Sequence, residues 1–177
     1  MRRLICMETS AGPALPPFAV PGRVAFVTSV GGTGDLGSWP DAATAAIDRF
    51  VNDGRWVRLD GVAVAESKAD LTDGVLFAPI NVTEVGDYLG NWIVWTGTNT
   101  SRFATGFDCT GWTVGNSFTR GTTGPANDLR LWTWMSQTDC NVGGVRLYCF
   151  SDTSLFIFTD GFESGNTSAW TAQQPPP

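Results

Sequence analysis

Histidine is absent from the 177 residues, and lysine occurs once, at Lys68. Without imidazole the chain lacks the commonest general base, every Ser/His or Cys/His nucleophile pair and a frequent metal ligand. Basic residues are the minority: eleven Lys plus Arg face seventeen Asp plus Glu, a formal charge of −6. Nucleic-acid affinity rests on phosphate contacts, so no nucleic acid is expected as a partner, and anionic membranes and sulfated glycans are disfavoured. No apolar run reaches the length of about 18 residues that a spanning helix needs, so no membrane insertion is expected. C-x-x-C spacing is missing as well. The cysteines are Cys6, Cys109, Cys140 and Cys149, and with no histidine to complete a zinc site they read as disulfide formers. Disulfides belong to an oxidising compartment, which makes this a secreted or cell-surface protein by expectation. Residues 1–22 offer only Leu4, Ile5 and Cys6 after two arginines, too little for an export signal, so that signal is expected upstream of this sequence.

What the chain does have is tryptophan, threonine and glycine, with 42% hydrophobic residues, enough for one domain with a sizeable core. Residues 1–22 hold four prolines and no periodicity and read as a disordered leader; 23–152 form the domain; 153–177 form a C-terminal tail ending in three prolines. A strand is expected at 23–29 (RVAFVTS), entering the Gly-rich stretch GGTGDLG. Ser38 or Asp41 caps the one expected helix, at 41–51. Asp60-Gly61 marks a tight hairpin within RWVRLDGVAVAES, and LTDGVLFAPINVTE reads as an irregular connection that sets Leu76, Phe77 and Ile80 against the core. Further strands are expected at 92–95, 129–135 and 145–150, with a loop-rich region over 96–127.

From Val94 onward the motifs VWTGTN, Cys109-Thr110-Gly111-Trp112, LWTW and DCNVGGVRLYCF follow in order, after FVTSVGGTGDLG, WVRLDGVAVAES, ADLTDG and APINVTE. This ordered set resembles a bacterial extracellular domain of unknown function in the endostatin-like branch of the C-type lectin-like fold, over residues 23–152. The resemblance implies an α+β, C-type lectin-like (endostatin-like) domain of mostly short antiparallel strands and long loops with one short helix. It also implies an inner Cys109–Cys140 disulfide. The stretch GDLGSWPDAATAAIDRF is shorter than the family's helical segment, which carries the usual partner of the last-strand cysteine; Cys149 therefore lacks that partner unless Cys6 takes its place. Endostatin's heparin and zinc sites use arginines and histidines, and neither ligand fits this acidic, histidine-free chain. The tail stretch TDGFESGNTSAWT resembles a short ending found on many exported bacterial proteins, which implies a detachable appendage.

Loops on a rigid scaffold are where binding usually sits. The candidate ligand-binding residues are Asn99, Arg102, Asn116, Arg120, Asn127 and Asp128, with Trp134 at the margin, against the competing reading of plain surface-loop chemistry. Tryptophans either stack on ligands or fill a core; Trp92, Trp95 and Trp112 read as core. Strand alternation puts Trp132 and Trp134 on one face, and which face is buried stays open. Asp35, Asp70, Asp73, Asp87 and Asp108 lack any recognised calcium-loop spacing and read as turn residues, so no metal and no cofactor are expected. A carboxylate-dependent glycoside hydrolase would need a pair such as Glu84 with Asp87 or Asp108 across a cleft, and nothing in the sequence places one there. The expected function is an extracellular, non-enzymatic binding or adhesion module for a carbohydrate or protein ligand. A structural or display domain without its own ligand is the alternative, and the hydrolase comes third.

Overall fold

The computed structural model describes residues 22–36, 50, 53–99 and 103–151. The leader, the tail, Cys6, Arg102 and all of the expected 41–51 helix except Phe50 lie outside these residues. Seven strands make one open sheet: β1 (Arg23–Val27), β2 (Trp56–Val57), β3 (Ala63–Ala65), β4 (Ile93–Trp95), β5 (Arg120–Pro125), β6 (Ser136–Asp139) and β7 (Arg146–Phe150), in the order β3-β2-β1-β7-β4-β5-β6. β1 pairs with β2 and β4 with β7 in parallel; the other four pairings are antiparallel. The sheet is therefore mixed. Two short helices accompany it, α1 (Lys68–Thr72) and α2 (Cys109–Trp112), neither of them the expected one.

The β-branched and aromatic runs became strands where expected. β1 buries Val24, Ala25 and Val27, and Ala25 to Val27 pair with Tyr148 to Phe150 of β7 at the centre of the sheet. Asp60-Gly61 turns the β2–β3 hairpin, with Gly61 at φ +82. Along β7 the side chains alternate: Tyr148 and Phe150 pack on the cluster of Trp56, Leu71, Ile80 and Trp132, while Leu147 packs on the opposite cluster around Trp95 and the cysteines.

Four expectations fail. Residues 129–135 form no strand, because Asp128 Oδ1 accepts from the backbone N–H groups of Arg130 (2.6 Å) and Leu131 (2.7 Å) and curls the segment into turns. Trp132 is consequently buried while Trp134 is 40% exposed, so the two do not share a face. Trp92 is not core: it is 45% exposed, with the Arg146 guanidinium 4.6 Å over its ring. Phe77 also points outward, at 54% exposure, while Leu76 and Ile80 are buried as expected.

The Cys109–Cys140 disulfide is present, with both cysteines fully buried. Cys149 is buried in β7. The disulfide anchors an unusual turn: all four residues of α2 have positive φ (52, 58, 69 and 62), a single left-handed turn of which only Gly111 is glycine. Each non-glycine residue held this way costs about 1–2 kcal/mol. Asp108 offsets part of that cost by accepting from Gly111 N–H at 3.0 Å, as does the edge-to-face contact of Trp112 on Trp95 at 5.9 Å. Thr110 is the exposed, β-branched member of the turn (φ 58, ψ 56). Thr110→Gly should therefore raise stability by about 1 kcal/mol in urea denaturation, despite the greater freedom glycine gives the unfolded chain. A loss of stability would mean that the turn is not strained.

A polar cluster around the buried Arg58 braces the β2–β3 hairpin. Arg58 donates from Nε and Nη2 to both carboxylate oxygens of Asp60 (3.0 and 2.5 Å), and from Nη1 to Asn81 Oδ1 (2.9 Å) and the Pro79 carbonyl (3.2 Å). Tyr88 donates its hydroxyl to Asp60 at 2.6 Å. Burial pushes the Asp60 carboxyl up, but the hydrogen bonds from Arg58 and Tyr88 outweigh it and hold the group below its ordinary value. The contribution of Asp60 to stability is thus complete above its unfolded pKa, about 3.9, and is lost as pH falls through the lower folded value. Denaturation midpoints of the intact chain should stay level from about pH 7 to 5 and drop below about pH 4, and Asp60→Asn should flatten that acid slope. An unchanged slope in the variant would assign it to other carboxylates.

Candidate functional site

A cavity of about 120 Å³ opens beside β4 and β7, lined by Trp95 and Leu147 as well as by Tyr148 and Phe150. Its apolar walls come from three places. β7 supplies Tyr148 and Phe150. α1, capped by Ser67 Oγ accepting from Asp70 N–H, presents Leu71, and Phe50 and Trp132 close the sides. The aromatic rings pack on one another: Trp132 meets Tyr148 edge-on at 5.7 Å, and Phe50 meets Phe150 edge-on at 5.3 Å. Tyr148 is partly buried, desolvation pushes its phenol above its ordinary pKa, and its hydroxyl donates to the Pro125 carbonyl at 3.3 Å. It stays neutral and serves as wall.

Threonines form the polar part of the lining. Thr96 Oγ1 donates to the Thr133 carbonyl, and Thr133 Oγ1 donates to the Asn99 carbonyl at 3.1 Å, so the chain leaving β4 is tied to the 132–133 turn. Thr72 Oγ1 is bonded back to the Lys68 carbonyl at 3.0 Å within α1. Thr98 differs: it lines the cavity at 8% exposure, and its hydroxyl has no partner among the described residues. Trp132 Nε1 is a buried donor of this wall without an acceptor among the described residues. None of the described lining residues carries a charge.

The structure divides the expected ligand residues. Asn99 and Trp134 are the neighbours in sequence of the lining residues Thr98 and Thr133 and do not themselves line the cavity; Phe103, 71% exposed, accepts from the Asn99 N–H through its carbonyl at 2.9 Å. Asn116 and Arg120 stand at one end of β5 and Asn127 and Asp128 beyond the other, so they are separated by about 17 Å of strand at 3.4 Å per residue. Asn116 Oδ1 accepts from Phe118 and Thr119 N–H in its own turn, and Arg120 pairs with Asp139 at 3.1 Å across β5–β6. Asn127 is exposed, and Arg102 lies outside the described residues.

The aspartates weighed as calcium ligands serve turns: Asp70, Asp73 and Asp108 accept from backbone N–H groups of Glu66, Val75 and Gly111. Among the described residues no cluster of three or more metal-ligating side chains occurs. Glu84 binds Ser29, accepting from its N–H at 2.7 Å and from its hydroxyl, away from the cavity lining. The cavity residues that sequence reasoning passed over are the threonines, which read as loop filler, and Leu71, Tyr148 and Phe150, which read as ordinary core. Only the alternation of β7 carried a signal that Tyr148 and Phe150 share a face. The chain matches no protein-family profile and no curated protein sequence.

Proposed function

We propose that the chain is an extracellular, non-enzymatic binding module of C-type lectin-like, endostatin-like fold, and that its ligand seats on the cavity and the exposed aromatics beside it. The observation that carries this reading is the cavity itself: an aromatic-walled concavity whose described lining is uncharged, with Asn99 and the exposed Trp134 next in sequence to its residues Thr98 and Thr133. Buried aromatic anchors of this kind supply most of the energy in recognition sites. The disulfide between the C-x-x-W turn and the segment before β7 supports the fold reading and an oxidising location. A lining of hydroxyls and rings supports binding over carboxylate catalysis. The side chains of Asn116 and Asp128 that are spent on their own turns favour a scaffold role for that part of the loops, which is the structural reading restricted to one region.

A glycan and matrix-protein array with the purified chain identifies the ligand class. Phe103→Ala with Trp134→Ala should then weaken the captured ligand about ten-fold or more and leave the melting temperature within a few degrees. Binding should also change little between low and physiological salt, since the lining has no charge to screen. A ligand that ignores the double variant, or releases steeply with salt, places the site elsewhere.

A further inference from the structure

We infer that the cavity accepts one uncharged aromatic ring bearing a hydroxyl, a phenol, whose oxygen bonds to Thr98; this rests on the reading of the cavity as a ligand site. Size sets the first limit. An engineered apolar cavity of about 150 Å³ takes a benzene ring, and the space here is about 120 Å³, room for one ring and not for two. Charge sets the second, because the described lining residues offer no ion to pair with a carboxylate or an ammonium. Polarity sets the third. Thr98, 8% exposed, holds a hydroxyl with no partner among the described residues, while the hydroxyls of Thr72, Thr96 and Thr133 already donate to backbone carbonyls. One hydroxyl can both donate to and accept from a phenol. A pyranose of similar size brings several hydroxyls and would leave most of them unmatched. The edge-on packing of Trp132 and Tyr148 leaves aromatic wall for the ring to lie against. The phenol has two sources, a free small molecule or a tyrosine side chain of a peptide.

The test uses the full chain, isotopically labelled, with chemical shifts of the Thr98 methyl and the Trp132 indole N–H as readouts. The probes are p-cresol, N-acetyl-tyrosinamide, toluene and benzoate. Saturable shifts are expected with p-cresol, about three- to ten-fold weaker binding with toluene, and none with benzoate. Thr98→Val, which keeps the shape, should reduce p-cresol to the toluene affinity, and Thr98→Ser should restore the difference. N-acetyl-tyrosinamide binding like p-cresol assigns the ring to a peptide; p-cresol alone assigns it to a free phenol. Toluene binding as well as p-cresol, or a Thr98→Val variant that still prefers p-cresol, overturns the phenol assignment and leaves the cavity a ligand site. No shift with any probe overturns both.

Discussion

Replacing Cys109 and Cys140 together by alanine should lower the stability of the chain by about 3–4 kcal/mol, or about 10 °C in melting temperature. The bridge closes a loop with a sequence separation of 31, and the chain-entropy relation gives that figure for a loop of this length. Two local effects add to it. Both sulfurs sit in the core with Trp95 and Val145, and the bridge holds α2 in its left-handed turn. The glycines around it show how closely it is seated: a Cβ on Gly34 would lie 2.2 Å from Cys109 Sγ. In the double variant α2 is free to leave positive φ, so the Trp112 contact with Trp95 should go first, visible as a change in near-ultraviolet dichroism before the main transition. Equal denaturation midpoints for the oxidised chain and the variant would show that the loop is already ordered in the unfolded state.

Gly124→Ala should cost about 3 kcal/mol, the upper end of overpacking effects, because the obstacle is backbone. A Cβ at Gly124 would stand 2.0 Å from the Trp132 carbonyl oxygen and 2.4 Å from its carbon, so β5 and the 131–132 turn must part. That displaces Trp132 and with it one wall of the cavity. Tryptophan fluorescence should shift to the red in the folded variant, and p-cresol binding should fall with it. Gly143→Ala is the control: no heavy atom lies within 4 Å of a Cβ there, and its effect should stay within about 0.5 kcal/mol. If the two substitutions cost the same, the close approach of β5 to the turn does not exist in solution.

The glycines of β5 also bear on what could be read from the sequence. The runs RVAFV, IVW and RLYCF announced β1, β4 and β7 by composition, and Asp60-Gly61 announced the hairpin, because there the local preference and the burial agree. β5 is RGTTGP, which reads as loop. Its glycines mark tight packing instead: Gly121 lies under the Trp95 ring and Gly124 under the Trp132 carbonyl, a reason that only the folded neighbours supply. β6, SQTD, is a polar edge strand with no hydrophobic signal at all. Residues 129–135 err in the opposite direction, since one carboxylate, Asp128, overrides an apolar run. The site was legible in part for the same reason. Loop chemistry pointed to Asn99 and Trp134, one residue away from the lining residues Thr98 and Thr133, and Thr133 owes its position to a long-range bond to the Asn99 carbonyl that no local pattern records.

The central place of β7 has a consequence for the order in which the molecule is made. β1, with β2 and β3, lies on one side of it, and β4, with β5 and β6, on the other, yet β7 is the last of the seven to be synthesised. Val94 must wait for Arg146, a span that a ribosome makes in roughly 3–10 s, and Ala25 must wait for Phe150. Until then the nascent chain consists of two half-sheets with no strand between them, each with an unfilled edge and neither with a complete core. Pairings this distant in sequence also close slowly once they are possible. Such a chain remains unlocked until β7 is made; for a chain exported as proposed, passage through a narrow channel in extended form before that point sacrifices no native structure, and the sheet and its disulfide can then close together.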